Sequence, residues 1–551
     1  MEYCTHDIPK KKTKQPSIEV TTPGACCPLA GAGSKSGVVD DVLKTYVDSC
    51  ATAAVKQAWN SGRMARWSKD KVAVDQLGQV HQKRSSNKGE IQQKAVPEEE
   101  VETDESQWYQ YTPNAANLGH GQFGDSLEMC VPCLLHGDEG VGHRRKPVMQ
   151  MLWGPLLRVG LGAIHRLFFI TCCPHKYYSK YNQGTAAGNP VLDRLMVECG
   201  RSAARAYYTG IETSHGRFHL VFLGLAGDHP FQVKVSHSLR SHLRVDICPW
   251  CEANIREDVP FEDFSLGATW RQTVFQSVPW APGTQPPMVL IPGGDHPGFL
   301  KWDLMHMIPH GCARNFCASI TCMLCGPMQM FAAPPGPDKK KERCLDAAYE
   351  HFGAWLACTG QSVRDLKEFS PENLQWINNR DFPDSNCKAA DTTLWVKWLL
   401  DFLGTMPWEW QEPLDHAYEG LLALDQFLRL CYDGNDRLFF GPEQQQAGSE
   451  KLLRFLRAYE SLAFYWFQRG WCLFGFTPKC HFSAHWHEEL FNAVRLKKKW
   501  AWNPGAFSTP MMEDFVGLCS RMSRSVHAGT VPISTIRKYL VEVLRHWADA
   551  E

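Results

Sequence analysis

Three acids, Asp138, Asp228 and Glu513, stand where a folded chain can gather carboxylates. Asp138 lies in "LHGDEGVG" at the end of the first of four predicted strands, and Asp228 in "LAGDHPF" at the end of the fourth. Glu513 lies in "STPMMEDFVGLCSRMSR", where Thr509 can cap a helix, Pro510 suits its first position and Glu513 falls in the first turn. On that helix Met512, Phe515, Cys519, Met522 and Val526 form an apolar stripe, and Glu513, Gly517, Arg521 and Arg524 face elsewhere. If strands one and four are neighbours, the two aspartates meet at one sheet edge and a helix packed there delivers the glutamate. Three converging carboxylates repel one another and call for cations. Two divalent ions about 4 Å apart are the usual arrangement for phosphodiester chemistry. Asp is also a common turn residue, so each acid alone has an ordinary explanation, and Glu139 and Asp514 are adjacent competitors.

A second pair sits in "FLKWDLMHMIPHG", residues 299–311, where Asp303 ends a strand-like run and His306 follows three residues later. A histidine in such a place is ordinarily a core or capping residue. A third set is sulfur and imidazole. Cys248 and Cys251 in "CPWC" are spaced to share one tetrahedral Zn²⁺. The remaining two ligands have two HxxxH sources, His306 with His310 and His481 with His485, each one helical turn apart. His487 is an extra candidate, and two buried thiols in an apolar turn are the plain alternative. A fourth set is "RLKKKWAW", residues 495–502, where Lys497, Lys498 and Lys499 beside Trp500 and Trp502 suit a phosphate backbone and unstacked bases. A solvated lysine cluster at a helix end has the same look.

The elements that must position these groups follow from periodicity. "LEMCVPCLLHGD", "KPVMQMLWG" and "AIHRLFFITCC" read as three consecutive strands, with hairpin chemistry in "GDEGVGHRRK" between the first two. Residues 190–208 have helical spacing, and "RFHLVFLGLAGD" (217–228) is a strongly apolar fourth strand. Three meander strands, a crossover helix and a parallel strand make the front half of an RNase H-like sheet. "GFLKWD" reads as a fifth strand ending on Asp303. The chain from 304 to 480 reads as a helical insertion, and 481–551 as C-terminal helices that complete the core begun at 108–303. Residues 1–107 read as a disordered, linker-like region with one candidate helix at 38–66 and an acidic run at its end.

A chain of 551 residues is long enough for two to four domains. The formal net charge of −1 points to no polyanionic partner by itself, so any nucleic-acid surface must be local. The 22 cysteines, several in apolar runs such as "FFITCC" and "CASITC", fit reduced, buried or metal-bound thiols. The longest apolar stretch is broken by Arg158, His165 and Arg166 and reads as core, so no membrane partner is expected. "PKKKTK" near the start has the form of a nuclear import signal.

In order and spacing, these residues resemble the DDE transposases of eukaryotic cut-and-paste elements, chiefly the CACTA-like group and related protist transposon proteins. The resemblance runs over about 129–530 through "GDHPF", "CPWC", "DLMH", "CHFSAH" and "MEDFVGLCSR". It implies an α/β fold: an RNase H-like mixed sheet core interrupted by a large all-α insertion. It implies a nuclear strand-transfer nuclease acting on double-stranded DNA, as a homodimer or higher oligomer. Asp138, Asp228 and Glu513 would hold two Mg²⁺ or Mn²⁺ ions, with Asp303 and His306 supporting them. Similarity to the V(D)J recombinase favours Cys248, Cys251, His481 and His485 as a structural zinc set. The first-acid segment "HGDEGVG" matches loosely, and no terminal-repeat-binding domain is evident, so a domesticated, catalytically inactive zinc-stapled DNA-binding or interaction protein is the alternative.

Overall fold

The computed structural model describes residues 129–156, 162–181, 188–331, 340–405, 412–433 and 438–548. The segment expected to be linker-like, its candidate helix at 38–66 and the import-like lysine run lie outside the described residues. The described chain is mixed α/β.

Strands β1 (Cys130–Val141), β2 (Pro147–Pro155) and β3 (Phe168–Pro174) form an antiparallel meander. Helix α1 (Pro190–Tyr208) then crosses over. Asn189 starts it by accepting the Val191 and Leu192 N–H groups, and Pro190 sits where no N–H is needed. Its buried residues Leu192, Met196, Gly200, Ala203 and Tyr207 recur every three or four positions, which turns one face onto the sheet. Strand β4 (Ile211–Thr213) is a short hairpin arm of β5 (Gly216–Gly227), and β5 returns parallel to β1, giving the order β3-β2-β1-β5-β4. β5 is buried on both faces from Leu220 to Gly227, as its unbroken apolar run demands. The short helix α2 (His229–Ser236) follows it directly.

Two expectations change here. β1 does not stop at Asp138; it continues to Val141 against β2, with Asp138 opposite Gln150. The expected fifth strand is reduced to one parallel bridge, Leu225 with Leu300, preceded by a single 3-10 turn at Pro297–Phe299. The Lys301 N–H reaches the Leu225 carbonyl, but the Gln232 side-chain amide takes the Lys301 carbonyl that would have continued the ladder.

From Leu304 onward the described residues are mainly helical: α3 (Ala313–Cys325), α4 (Lys340–Thr359), α5 (Ala389–Thr405), α6 (Glu412–Tyr432), α7 (Pro442–Phe467) and α8 (Pro478–Arg495). Helix α3 is buried all round except at Arg314, the mark of a central helix, and this accounts for Cys317 and Cys322 as small core residues. Residues 361–388 carry no regular element. Proline at 371 and 383 breaks the helical pattern, and Asp391 instead accepts the N–H groups of Arg364, Asp365 and Leu366. One apolar core joins the CxxC loop, Trp302, Leu304 and helices α3–α8. Helices α9 (Pro510–Arg524) and α10 (Val531–Ala548) return to the sheet. Gln150 on β2 donates to the Val516 carbonyl of α9, and the Tyr539 hydroxyl of α10 donates to the Leu167 carbonyl beside β3.

Candidate active site and Cys-His centre

The last pair of the parallel β1–β5 ladder is Gly137 with Gly227. The next residue on each strand is an aspartate, Asp138 and Asp228, so adjacent parallel strands deliver two carboxylates side by side. Both glycines are required by close approach. A Cβ on Gly137 would stand 2.1 Å from the Phe231 ring, and Gly227 has φ +131° with its Cβ position 2.4 Å from the Gly137 carbonyl oxygen. Asp228 also caps α2, with one oxygen accepting the Phe231 N–H at 2.7 Å.

Glu513 arrives from the first turn of α9 and comes within hydrogen-bonding reach of Asp138. Burial raises the Asp138 carboxyl, and the charges of Glu513 and Asp228 raise it further, to about 8. Burial also works against charge on Glu513, but His136, His306 and the Asp138 carboxyl hold it down at about 2. Asp228 is raised by burial, against the pull of the Phe231 N–H and His306. Of Asp138 and Glu513, Asp138 is therefore the one that is hard to ionise. The neighbouring acids are accounted for otherwise: Glu139 is bound by Lys234 and the Tyr178 hydroxyl at 2.6 and 2.8 Å, and Asp514 is exposed.

Asp303 is fully buried and is the clasp of the site. Its Oδ1 accepts the Met305 N–H at 2.9 Å and the Thr509 N–H at 3.0 Å. Its Oδ2 accepts from the Thr509 hydroxyl and from His306 Nδ1. Thr509 therefore does not cap α9 with its side chain, as the sequence suggested. It spends its hydroxyl on Asp303, and the Glu513 N–H bonds the Thr509 carbonyl one turn on. Burial disfavours a proton on His306, but the Asp303 hydrogen bond and the fields of Asp303 and Glu513 raise it to about 9. His306 thus presents a cation to Asp228 and Glu513.

One residue of this site was passed over in the sequence. His136 lies two positions before Asp138, on the same face of β1 by the period of two. It is fully buried, and Nε2 is 3.5 Å from Glu513 Oε1; among the described residues neither ring nitrogen nor that oxygen has a hydrogen-bond partner. That separation is too long for a good hydrogen bond.

Cys248, Cys251, His481 and His485 converge. The Cys248 sulfur is 3.2 Å from His485 Nε2, and the Cys251 sulfur is 3.2 Å from His481 Nε2. The four ligand atoms all lie within 4.8 Å of one another, and all four residues are buried. Sulfur and nitrogen ligands at about 2.3 and 2.0 Å from one tetrahedral ion stand about 3.6 Å apart, so the residues fit such an ion. Their surroundings fit it too. The N–H groups of Trp250 and Ala253 point at the two sulfurs at 3.4 Å, and the Phe261 carbonyl lies 3.2 Å from His481 Nδ1, leaving Nε2 free to ligate. Burial raises both thiols, but the Cys251 thiol and the two imidazoles favour the ionised Cys248 sulfur. His306 is engaged by Asp303 and stacks on His310 at 5.9 Å, and His487 turns to Ser449, so neither HxxxH rival nor the extra histidine enters the cluster.

The lysine–tryptophan run does not form the platform expected of it. Trp502 is 7% exposed in β7 (Ala501–Trp502), which pairs with β6 (Phe439–Phe440), and it packs on Phe439 and Phe507 at 4.4 and 5.3 Å. It has no face left for a base. Lys498 is half-buried and faces Glu489. Lys497, Lys499 and Trp500 remain exposed.

No protein-family model matches the chain, and no curated protein matches it. No helix among the described residues is long and apolar enough to cross a membrane.

Proposed function

We propose that the chain is a metal-dependent DNA nuclease and strand transferase of the DDE transposase kind, built on an RNase H-like core. The observation that carries this reading is the pairing of Gly137 with Gly227, which sets Asp138 beside Asp228 where α9 brings Glu513. Asp138, Asp228 and Glu513 would hold the divalent ions, Mg²⁺ or Mn²⁺. When bound, such ions activate a water or a 3′-hydroxyl for in-line attack and neutralise the leaving oxygen. The chain's own part is positioning and charge. Bound cations would favour the ionised form of Asp138, which burial and the neighbouring acids otherwise disfavour. The protonated His306, anchored by Asp303, faces the acids and is placed to hydrogen-bond a phosphate oxygen. The Cys-His cluster would hold Zn²⁺ as a structural staple between the CxxC loop and α8, leaving the acids to the chemistry.

The test is cleavage of a nicked DNA duplex by the full chain with Mg²⁺ or Mn²⁺. Activity that appears with either ion and vanishes in Asp138→Asn, Asp228→Asn and Glu513→Gln supports the reading. Absence of metal-dependent cleavage in the wild type, with the protein folded, sinks it. A second reading is an inert, zinc-stapled DNA-binding protein. Among the described residues, the Cys-His set is the group of three or more candidate ligands drawn within 4.8 Å, and the three acids are not gathered so tightly.

A further inference from the structure

Helix α9 packs on β1, and the face of the strand that it covers carries every second residue: His136, Asp138 and Gly140. At one end a Cβ on Gly140 would stand 2.0 Å from the Ser520 hydroxyl and 3.2 Å from Val516, so glycine lets the helix lie close. Gln150, opposite Asp138 on β2, fixes the same stretch by donating to Ser520 and to the Val516 carbonyl. At the other end Glu513, in the first turn of α9, meets His136. The cross-strand neighbours of His136 are Leu152 and Ala226, and neither offers its imidazole a polar side chain. Leaving a buried polar group unsatisfied costs about 1–3 kcal/mol. A core-packing role for His136 leaves that cost standing at the ring, and again at Glu513 Oε1. The 3.5 Å between Nε2 and Oε1 is longer than the 2.7–3.2 Å of an N–H···O hydrogen bond. Two ligand atoms each about 2.1 Å from one ion stand about 3.0 Å apart in octahedral and about 3.4 Å apart in tetrahedral geometry. The pair is thus spaced for an ion between its atoms and not for a proton.

We propose that His136 is a metal ligand of the acid site: its Nε2 and Glu513 Oε1 share a divalent ion, and the site therefore takes Mn²⁺ in preference to Mg²⁺. This rests on the nuclease reading and adds to it the choice of ion. Three carboxylates alone suit either ion. An imidazole nitrogen suits transition-metal ions, whereas Mg²⁺ is bound through oxygen and keeps several of its waters. The nitrogen is placed by the same ladder that places the acid: His136 pairs with Ala226 on β5, one step before Gly137 with Gly227, and Asp138 follows on the same face.

The experiment adds Mn²⁺ to the full, zinc-loaded chain without DNA and reads it by pulsed electron paramagnetic resonance, which detects a nitrogen atom bound to the ion. Wild type, His136→Gln and His306→Gln are compared, since His306 is the other imidazole beside the acids. Zinc content is measured in each, so that Mn²⁺ in the Cys-His cluster is not mistaken for the acid site. Nitrogen coupling is expected in the wild type and in His306→Gln, and its loss in His136→Gln. Mn²⁺ affinity should fall by about tenfold or more in His136→Gln, because even the outer partners of metal ligands cost that much. Mg²⁺ affinity, measured by competition with Mn²⁺, should change far less. Should His136→Gln fail to fold, coupling retained in His306→Gln carries the assignment, and coupling lost there overturns it. Bound Mn²⁺ that shows no nitrogen coupling in the wild type, with Mn²⁺-dependent cleavage intact, overturns the ligand and leaves the nuclease reading standing. A wild type that neither binds Mn²⁺ beyond its zinc site nor cleaves DNA with Mn²⁺ or Mg²⁺ overturns both.

Discussion

Asp138 and Asp228 are the first residues past Gly137 and Gly227, the last pair of the parallel β1–β5 ladder. Their spacing is thus set by backbone hydrogen bonding and not by the choice of side-chain rotamers. Replacing Asp138 by Asn should reduce cleavage more than about a hundredfold, since even the outer partners of metal ligands cost 10–100-fold. The same change removes the group whose ionisation burial and the charges of Glu513 and Asp228 make costly. Its metal-free melting temperature should therefore be equal to or above that of the wild type. Asp228→Asn should lose activity with little loss of stability, because Asn caps a helix as well as Asp does. Thermal melts beside the cleavage assay check both. A large drop in stability for Asp138→Asn would mean that the acid is structural.

Gly137→Ala should destabilise the fold by about 1–3 kcal/mol, the range for an overpacked site. The obstructing group is the Phe231 ring, buried at 1% exposure. Denaturant melts measure the loss. Gly137→Ala combined with Phe231→Leu should recover part of it.

Metal content should follow the Cys-His cluster. Cys251→Ser and His485→Ala should each lose close to one zinc per chain and lower the melting temperature, whereas His310→Ala should retain full zinc. Because the ligand pairs lie 230 and 237 residues apart, binding free energy counts directly toward tertiary folding. Elemental analysis of the purified variants decides it. Zinc retained by His485→Ala and lost by His310→Ala would overturn the assignment.

His306 gives a pH dependence with a definite sign. Its folded value of about 9 lies above the ordinary value of 6.5, because Asp303 and Glu513 outweigh burial. A raised value means that its contribution is fully present below about pH 6.5 and is lost as pH rises through about 9. The amount is about 3 kcal/mol at most. In metal-free protein, the fall in stability between pH 6.5 and 9 should be steeper for the wild type than for His306→Gln. Equal slopes would show that the imidazole carries no such charge.

Thr509→Val should separate position from stability. It deletes the hydroxyl that Asp303 accepts but keeps the N–H bond at 3.0 Å, so the cost is about 1 kcal/mol. Glu513 sits one turn further along the same helix, so cleavage should fall by more than that stability loss explains. Asp303→Asn should cost about 3–5 kcal/mol, as expected when a buried charged partner is removed.

What the sequence made legible was local. Strand periodicity placed the first three strands, the crossover helix and β5. The CxxC and HxxxH spacings named the four ligands as pairs but could not choose between His306/His310 and His481/His485 without a resemblance, because the choice depends on tertiary packing. His136 was in reach of the same logic, since a period of two puts it on the face of Asp138, yet a histidine inside an apolar strand reads as core. The fifth strand failed because "GFLKWD" has a strand's composition, while its ladder is cut short by Gln232, a residue 69 positions away from Lys301. Trp500 and Trp502 look alike in sequence; only the pairing of β6 with β7 shows that one is exposed and the other packed.

The clasp between Asp303 and Thr509 spans 206 residues. During synthesis, Asp138 and Asp228 are made early, while the helix that brings Glu513 is made only after the whole helical block that separates Asp303 from Thr509. A chain stopped or cut anywhere between these two residues carries two of the three acids and lacks the third. Under the nuclease reading, the late arrival of α9 acts as an interlock: a half-made or broken copy cannot cut DNA, and competence comes only with the completed fold.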